Sequence, residues 1–274
     1  MPEFTWKGQW NALAIAAVVL LAFSFAFGAA SQGHAIRLAL VELAALPLLV
    51  LASGHLLQTG VWREHQFALG LMATVVAIPL IQLVPLPPAV WTGWPGRDQM
   101  LLALDLAGLQ PGWAPLSLAP DRTLGSALAL VPPAAVMLSM LLLSHIQRER
   151  LVQLCIAAAL IGILLGAAQL ASGGDSLYLW SWTDAGLVTG FFANRNHLSS
   201  FILVVLPFAI VYGAATLRRQ DRGAFALWFG ALFAGLSVVA LAAIRSRAGI
   251  TLFAPVIMIS LCAAWIAGCT APLA

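Results

Sequence analysis

Apolar residues in this chain gather in long runs, and the polar residues are confined to short clusters between them. The runs lie near residues 11–30, 36–53, 66–84, 124–144, 151–170, 198–217, 224–244 and 249–268. A membrane span needs ~20 mostly apolar residues to cross ~30 Å of hydrocarbon. The pattern therefore predicts an all-α membrane protein with about eight transmembrane helices. The second run is the weakest, because it is short and carries Glu42. The first run follows Lys7 and precedes Gly28, Ala29 and Ala30, as a cleaved signal peptide would. Its apolar part exceeds the ~7–15 residues of a signal core, which favours an uncleaved first span.

Composition agrees with the pattern. Hydrophobic residues make up 62% of the chain and charged residues 8%, and mean hydropathy is +0.97. Soluble domains carry roughly 25% charged residues, so the lipid bilayer is the expected solvent. The net charge of +3 does not point to nucleic acid, because the basic residues sit in short loops. There they set topology and touch anionic lipid. Cys155, Cys262 and Cys269 fall inside apolar runs without a C-x-x-C pair. They read as small buried hydrophobes.

Cytoplasmic loops carry the excess of Lys and Arg. With the N-terminus inside, Lys7, Arg63, Arg148, Arg150, Arg218, Arg219 and Arg222 fall on the cytoplasmic side. Arg37, Arg97, Arg122, Arg195, Arg245 and Arg247 fall outside. QRER (147–150) and LRRQDR (217–222) read as compact cytoplasmic turns, while Asp98, Asp105, Asp121, Asp175 and Asp184 lie on the outer side. The N-terminus is thus expected in the cytoplasm.

Three regions follow: N-terminal spans over 1–84, a Pro- and Trp-rich segment over 85–123, and a transmembrane core over 124–274. The middle segment is expected to lie along the membrane interface with Trp91, Trp94 and Trp113 at headgroup depth. Residues 172–190 look similar, with Tyr178, Trp180 and Trp182 as anchors. Marking the interface is a plainer role for these aromatics than stacking on sugars. Pro79, Pro132 and Pro133 fall mid-span and imply kinks that neighbouring helices absorb. Gly162 and Gly166 form a small-xxx-small pair that admits a close neighbour. No internal repeat stands out, nor the paired broken half-spans of many transporters.

Two polar clusters carry candidate chemistry. GFFANRNHLSS (190–200) sets Asn194, Arg195, Asn196 and His197 at the outer mouth of the sixth run. A helix N-terminus there offers free N–H groups and partial positive charge to an anion. Arg195 adds a bidentate phosphate donor, and the asparagines add amide donors. A polar cap, with Asn196 as N-cap and Arg195 reaching to headgroups, explains the same residues without a ligand. Ser199 and Ser200 read as packing. AIRSRAGI (243–250) places Arg245 and Arg247 on the same side. Residues two apart diverge on a helix, so both face one site only in a turn, which Gly249 permits. Ordinary headgroup contact is the alternative. Arg195, Arg245 and Arg247 together make a diphosphate site.

Other polar residues lead less far. Glu42 sits mid-span, where carboxylates are functional by default or hydrogen-bonded packing. His34, His55, His65 and His145 show no ligand spacing, so no metal is expected. Acidic metal ligands and a glycine-rich phosphate loop are both missing, which argues against a nucleotide-sugar enzyme. No cofactor is implied.

GFFANRNHLSSFILVVLPFAI (190–210) resembles the G-x-F-x-N-x-N segment of the O-antigen ligase and O-antigen polymerase family, polytopic bacterial membrane glycosyltransferases. IRSRAGI (244–250) resembles the family's S-R-x-G segment, and IQLVPLPPAVW and WAPLSLAPDRT are similar to stretches that precede that core. The resemblance implies a fold similar to multi-span enzymes that use polyprenyl-linked donors. It implies periplasmic, metal-independent transfer of a glycan from undecaprenyl diphosphate to a glycolipid, glycan or protein acceptor in the inner membrane. It assigns Arg195 and Arg247 to the carrier diphosphate, with Asn194 and Asn196 in support. Arg245 joins them by position, and His197 is a candidate glycan or acceptor contact.

Members of that family continue into a large periplasmic loop bearing a proposed catalytic His. Here the eighth run is followed by CTAPLA, and a truncated or split member is expected, with the general base unassigned. A non-catalytic partner that binds lipid-linked glycan, or a small transporter, remains an alternative.

Overall fold

A computed structural model describes residues 11–27, 35–173, 176–179, 186–216 and 223–270. Lys7, Gly28, Ala29, Ala30, His34, Asp175, Trp180, Trp182, Asp184, Arg218, Arg219 and Arg222 lie outside the described residues. The fold is all-α apart from one short β pairing. Five helical stretches among the described residues are long and apolar enough to cross a membrane: Ala35–Thr59, Pro120–Leu142, His145–Ala171, Arg195–Ala214 and Arg247–Ile266. Ala12–Phe27, Gln66–Gln82 and Trp228–Ile244 are shorter apolar helices. The described part of each of the eight apolar runs is therefore mainly helical, and five reach spanning length.

The chain divides into two compact units, residues 1–21 with 38–143, and residues 22–37 with 144–274. Helix α1 (Ala12–Phe27) begins after Asn11, whose Oδ1 accepts the Ala14 N–H at 2.7 Å. Helix α2 (Ala35–Thr59) is a full 25 residues and runs through Glu42, Pro47 and His55. The second run is thus no weak span. Its polar residues do not end it, and the chain turns only at Gly60, whose φ of 71° suits a residue without Cβ.

A 3₁₀ turn (Val61–Arg63) leads into α3 (Gln66–Gln82). Ala52 and Leu56 of α2 meet Leu138, with Leu69 and Met72 of α3 packed around them. Strand β1 (Pro85–Leu86) pairs antiparallel with β2 (Ala114–Pro115), and the Ser117 N–H donates to the Gln82 carbonyl at 2.9 Å. This closes the intervening segment into a loop holding α4 (Pro88–Trp91) and α5 (Asp98–Leu106).

Trp91 is the core of that loop and not a headgroup anchor. It is completely buried, its Nε1 donates to the Gly112 carbonyl at 3.0 Å, and the Arg97 guanidinium stands over its ring at 5.5 Å. Arg97, only 3% exposed, donates to the carbonyls of Pro115 at 2.9 Å and Leu116 at 2.5 Å. Trp94 and Trp113 are exposed.

The run at 124–144 divides into α6 (Pro120–Leu128) and α7 (Val131–Leu142). Pro132 and Pro133 open α7 and do not kink the middle of one helix. Proline lacks the N–H that a continuing helix needs, and its ring clashes with the preceding turn, so both fit a first turn.

The second unit begins at Ser144, which caps α8 (His145–Ala171). Its side chain accepts the Gln147 N–H while the Gln147 side chain accepts the Ser144 N–H, a reciprocal capping box. QRER consequently lies in the opening turns of α8 and not in a loop. Helices α9 (Arg195–Thr216), α10 (Gly223–Ile244) and α11 (Arg247–Thr270) complete the unit. Helix α8 runs antiparallel to α9. Gln153 near its start donates to the Tyr212 hydroxyl at 3.0 Å, and Gly166 near its end faces Leu198. Ile156, Ala159, Val205, Leu206 and Phe233 form one buried cluster, and Ile163, Leu198, Ile202, Leu241 and Ile244 another. Phe25 of α1 lies edge-on to Phe191 and Phe201 within the same unit.

Candidate functional site

The two polar clusters meet at one end of the second unit. Asn194 precedes the first helical residue of α9, and its Oδ1 accepts the Asn196 N–H at 2.8 Å. The cap is therefore Asn194 and not Asn196, because the side-chain oxygen of a cap must precede the free N–H groups it satisfies. Asn196 is left for another task. Its Oδ1 accepts the Ser246 hydroxyl at 3.0 Å, across fifty residues of sequence.

Ser246 is the hinge of the second cluster. Its Oγ also accepts the Gly249 N–H at 3.2 Å, so it caps α11 while holding α9. Arg245, immediately before it, adopts φ 56°. That left-handed turn reverses the chain between α10 and α11, and for a residue with a Cβ it costs about 1–2 kcal/mol. Gly249 has a different role from making the turn. It is helical, and a Cβ there would collide with Ser199 Oγ and press on Leu241. Its missing side chain lets α9 and α11 approach closely. Ser199, fully buried, has no hydrogen-bond partner for its hydroxyl among the described residues.

The segment leading into α9 is braced from behind by Gln169 of α8. This side chain is 1% exposed. Its Oε1 accepts the N–H groups of Thr189 and Gly190, each at 3.0 Å. Its Nε2 donates to the Gly190 carbonyl at 2.8 Å and the Leu177 carbonyl at 3.1 Å. Gly190 has φ 60°, and a Cβ there would lie 2.6 Å from the Gly162 carbonyl oxygen. The Gly162/Gly166 pair thus admits the 188–191 turn and the start of α9. Tyr178 is a loop brace as well as an aromatic: its hydroxyl donates to the Leu187 carbonyl and accepts the Gly186 N–H, both at 3.0 Å.

The resulting end of the bundle is cationic. Arg195 and Arg247 are the first residues of α9 and α11, and each lies one residue from the Asn196–Ser246 hydrogen bond, as does Arg245. Arg245 and Arg247 are exposed and Arg195 half-buried. None of the three forms an ion pair among the described residues. Two helix N-termini add roughly half a positive charge each. His197 is exposed, with its ring edge-on to Phe192 at 6.2 Å between centroids.

Glu42 lies on α2 with one carboxylate oxygen buried and unpartnered among the described residues. No group of three His, Cys, Asp or Glu side chains gathers among them either.

Ser246 and Gln169 escaped the sequence reading. Serine immediately before a glycine-bearing first turn is a cap signature, and a glutamine late in an apolar helix is a costly residue that calls for partners. No protein-family model, curated protein or solved structure matches the chain.

Proposed function

We propose that this protein crosses the bacterial inner membrane eight times, N-terminus in the cytoplasm, and presents the α9–α11 end to the periplasm. There it holds the diphosphate of an undecaprenyl-linked glycan and transfers the glycan to an acceptor, in the manner of the O-antigen ligase and polymerase family it resembles. One observation carries the reading. The Asn196–Ser246 hydrogen bond ties two helix N-termini together and sets Arg195, Arg245 and Arg247 around the junction, with no described carboxylate paired to them.

The chemistry follows from that charge. As the bond between the sugar and the carrier phosphate breaks, negative charge grows on the departing diphosphate. Fixed guanidinium groups and helix N–H dipoles stabilise that developing charge with little reorganisation. Arg195 and Arg247 bind phosphate oxygens, Arg245 adds field, and Asn194 and Asn196 supply amide donors. His197, exposed beside them, contacts the glycan or acceptor. The proton leaving the acceptor hydroxyl has no assigned base.

Arg195→Ala and Arg247→Ala, expressed at normal level in the source cell, are expected to abolish one surface glycan. Lysine at either position restores part of it, because charge survives but the bidentate fork does not. Unchanged surface polymers in both alanine variants would end the enzyme reading. Retained binding of polyprenyl diphosphate by protein that never transfers glycan would reduce it to a lipid-glycan partner.

A further inference from the structure

A second ligand site lies in the first unit, between α3 and α7. A cavity of about 330 Å³ opens there, within the range of ligand pockets, ~300–1,000 Å³. Phe67, Leu71 and Val75 line it from α3, Leu130 from the turn before α7, and Pro133 and Met137 from α7. The walls come from apolar helices, one of them part of the membrane-length Pro120–Leu142 stretch. The α6–α7 break bears on its shape. The Ala129–Leu130 turn separates the two helices, and Leu130 with the first turn of α7 forms one wall.

The surroundings name the occupant. On the membrane-spanning arrangement proposed above, the solvent around these helices is hydrocarbon, so what fills an apolar groove is a hydrocarbon chain. Phe67, in the first turn of α3, follows four residues after Arg63, which ends the 3₁₀ turn, is exposed and stands over the Trp62 ring at 5.4 Å. Arg63 makes no ion pair among the described residues, although Glu64 follows it. A tryptophan and an arginine in the turn that leads into a groove-lining helix match the headgroup level of a bilayer and the charge of an anionic phosphate. We infer that the groove holds an acyl chain of an anionic phospholipid, with the headgroup phosphate at Arg63.

The test uses the full chain in phosphatidylcholine nanodiscs doped with phosphatidylglycerol that carries a diazirine in its acyl chain. Adducts mapped by mass spectrometry are expected to concentrate on 67–76 and 130–137, severalfold above those at Leu43 and Val50, which are exposed on α2. Ala134→Phe fills the groove and should remove those adducts while the α2 adducts persist. Ala68→Leu serves the same purpose if the larger variant fails to fold. Arg63→Glu should erase the preference for phosphatidylglycerol over an equivalent phosphatidylcholine probe. Equal labelling of the groove and α2 would mean ordinary boundary lipid and overturn the site. Preferential labelling by a diazirine polyprenyl phosphate would assign the groove to an isoprenoid and overturn the phospholipid. A preference surviving Arg63→Glu would remove the headgroup contact.

Discussion

Arg97 and Arg247 carry the same guanidinium, and the two units use it in opposite ways. Arg97 is buried, with its donors spent on the Pro115 and Leu116 carbonyls and its flat face on Trp91. Arg247 is exposed at the first residue of a long helix, next to a hydrogen bond it takes no part in. A buried cation whose hydrogen bonds close internally organises its own loop. An exposed cation beside helix N–H groups keeps its donors for something outside the chain. Satisfaction inside the fold, more than residue type, separates the architectural arginine from the candidate ligand-binding ones.

The largest break in that contrast should come from Arg97→Ala. Hydrogen bonds to charged groups contribute about 1.5–3 kcal/mol, and the ring contact adds ~0.5–2 kcal/mol. A loss of about 3 kcal/mol is expected in denaturant or thermal unfolding, with new proteolytic cutting in 87–117. A melting midpoint equal to the parent's would show that Arg97 is not structural.

Gly249→Ala is next. The added methyl meets Ser199 and Leu241, and overpacking of this kind costs about 1–3 kcal/mol. Helices α9 and α11 should separate, which a spin-label pair across them would report as a longer distance. No change in distance or stability would contradict the close approach.

Ser246→Ala removes the α11 cap and the tie to Asn196. Cap loss typically costs about 1 kcal/mol. Diphosphate binding should weaken more than that stability change suggests, because the two helix ends lose their common anchor. Equal binding by Ser246→Ala and parent would detach the anchor from the site.

The smallest effect on folding belongs to Arg195→Ala and Arg247→Ala. Their melting midpoints should match the parent, while binding of polyprenyl diphosphate falls and the remaining binding loses much of its salt sensitivity. Destabilisation comparable to Arg97→Ala would erase the distinction between the two regions.

Much of the helical framework was legible in the apolar runs, since a helix satisfies its own backbone and needs only length and apolarity to be recognised. The exceptions share a physical cause. A tryptophan at a membrane interface and one in a small local core look alike in sequence, so Trp91 gave no sign of Arg97 above it. Pro132 and Pro133 announced a disturbance, but only the Ala129–Leu130 break shows that they start a helix. At the candidate site, the polar residues were visible and their division of labour was not. The turn falls to Arg245, the close approach to Gly249, and the cap to Asn194. Gln169 acts across twenty residues on Thr189 and Gly190, a pairing no local pattern encodes.

The two asparagines at the bundle end have their amide oxygens committed inward, Asn194 to the Asn196 N–H and Asn196 to the Ser246 hydroxyl. What each keeps free of a hydrogen bond among the described residues is an NH₂ group, in a stretch whose guanidinium groups can only donate. The surface there is thus one-sided in proton terms: rich in hydrogens to give, poor in lone pairs to offer. Among the described residues, a molecule crowded with oxygens meets more donors there than an amine or a metal cation meets acceptors.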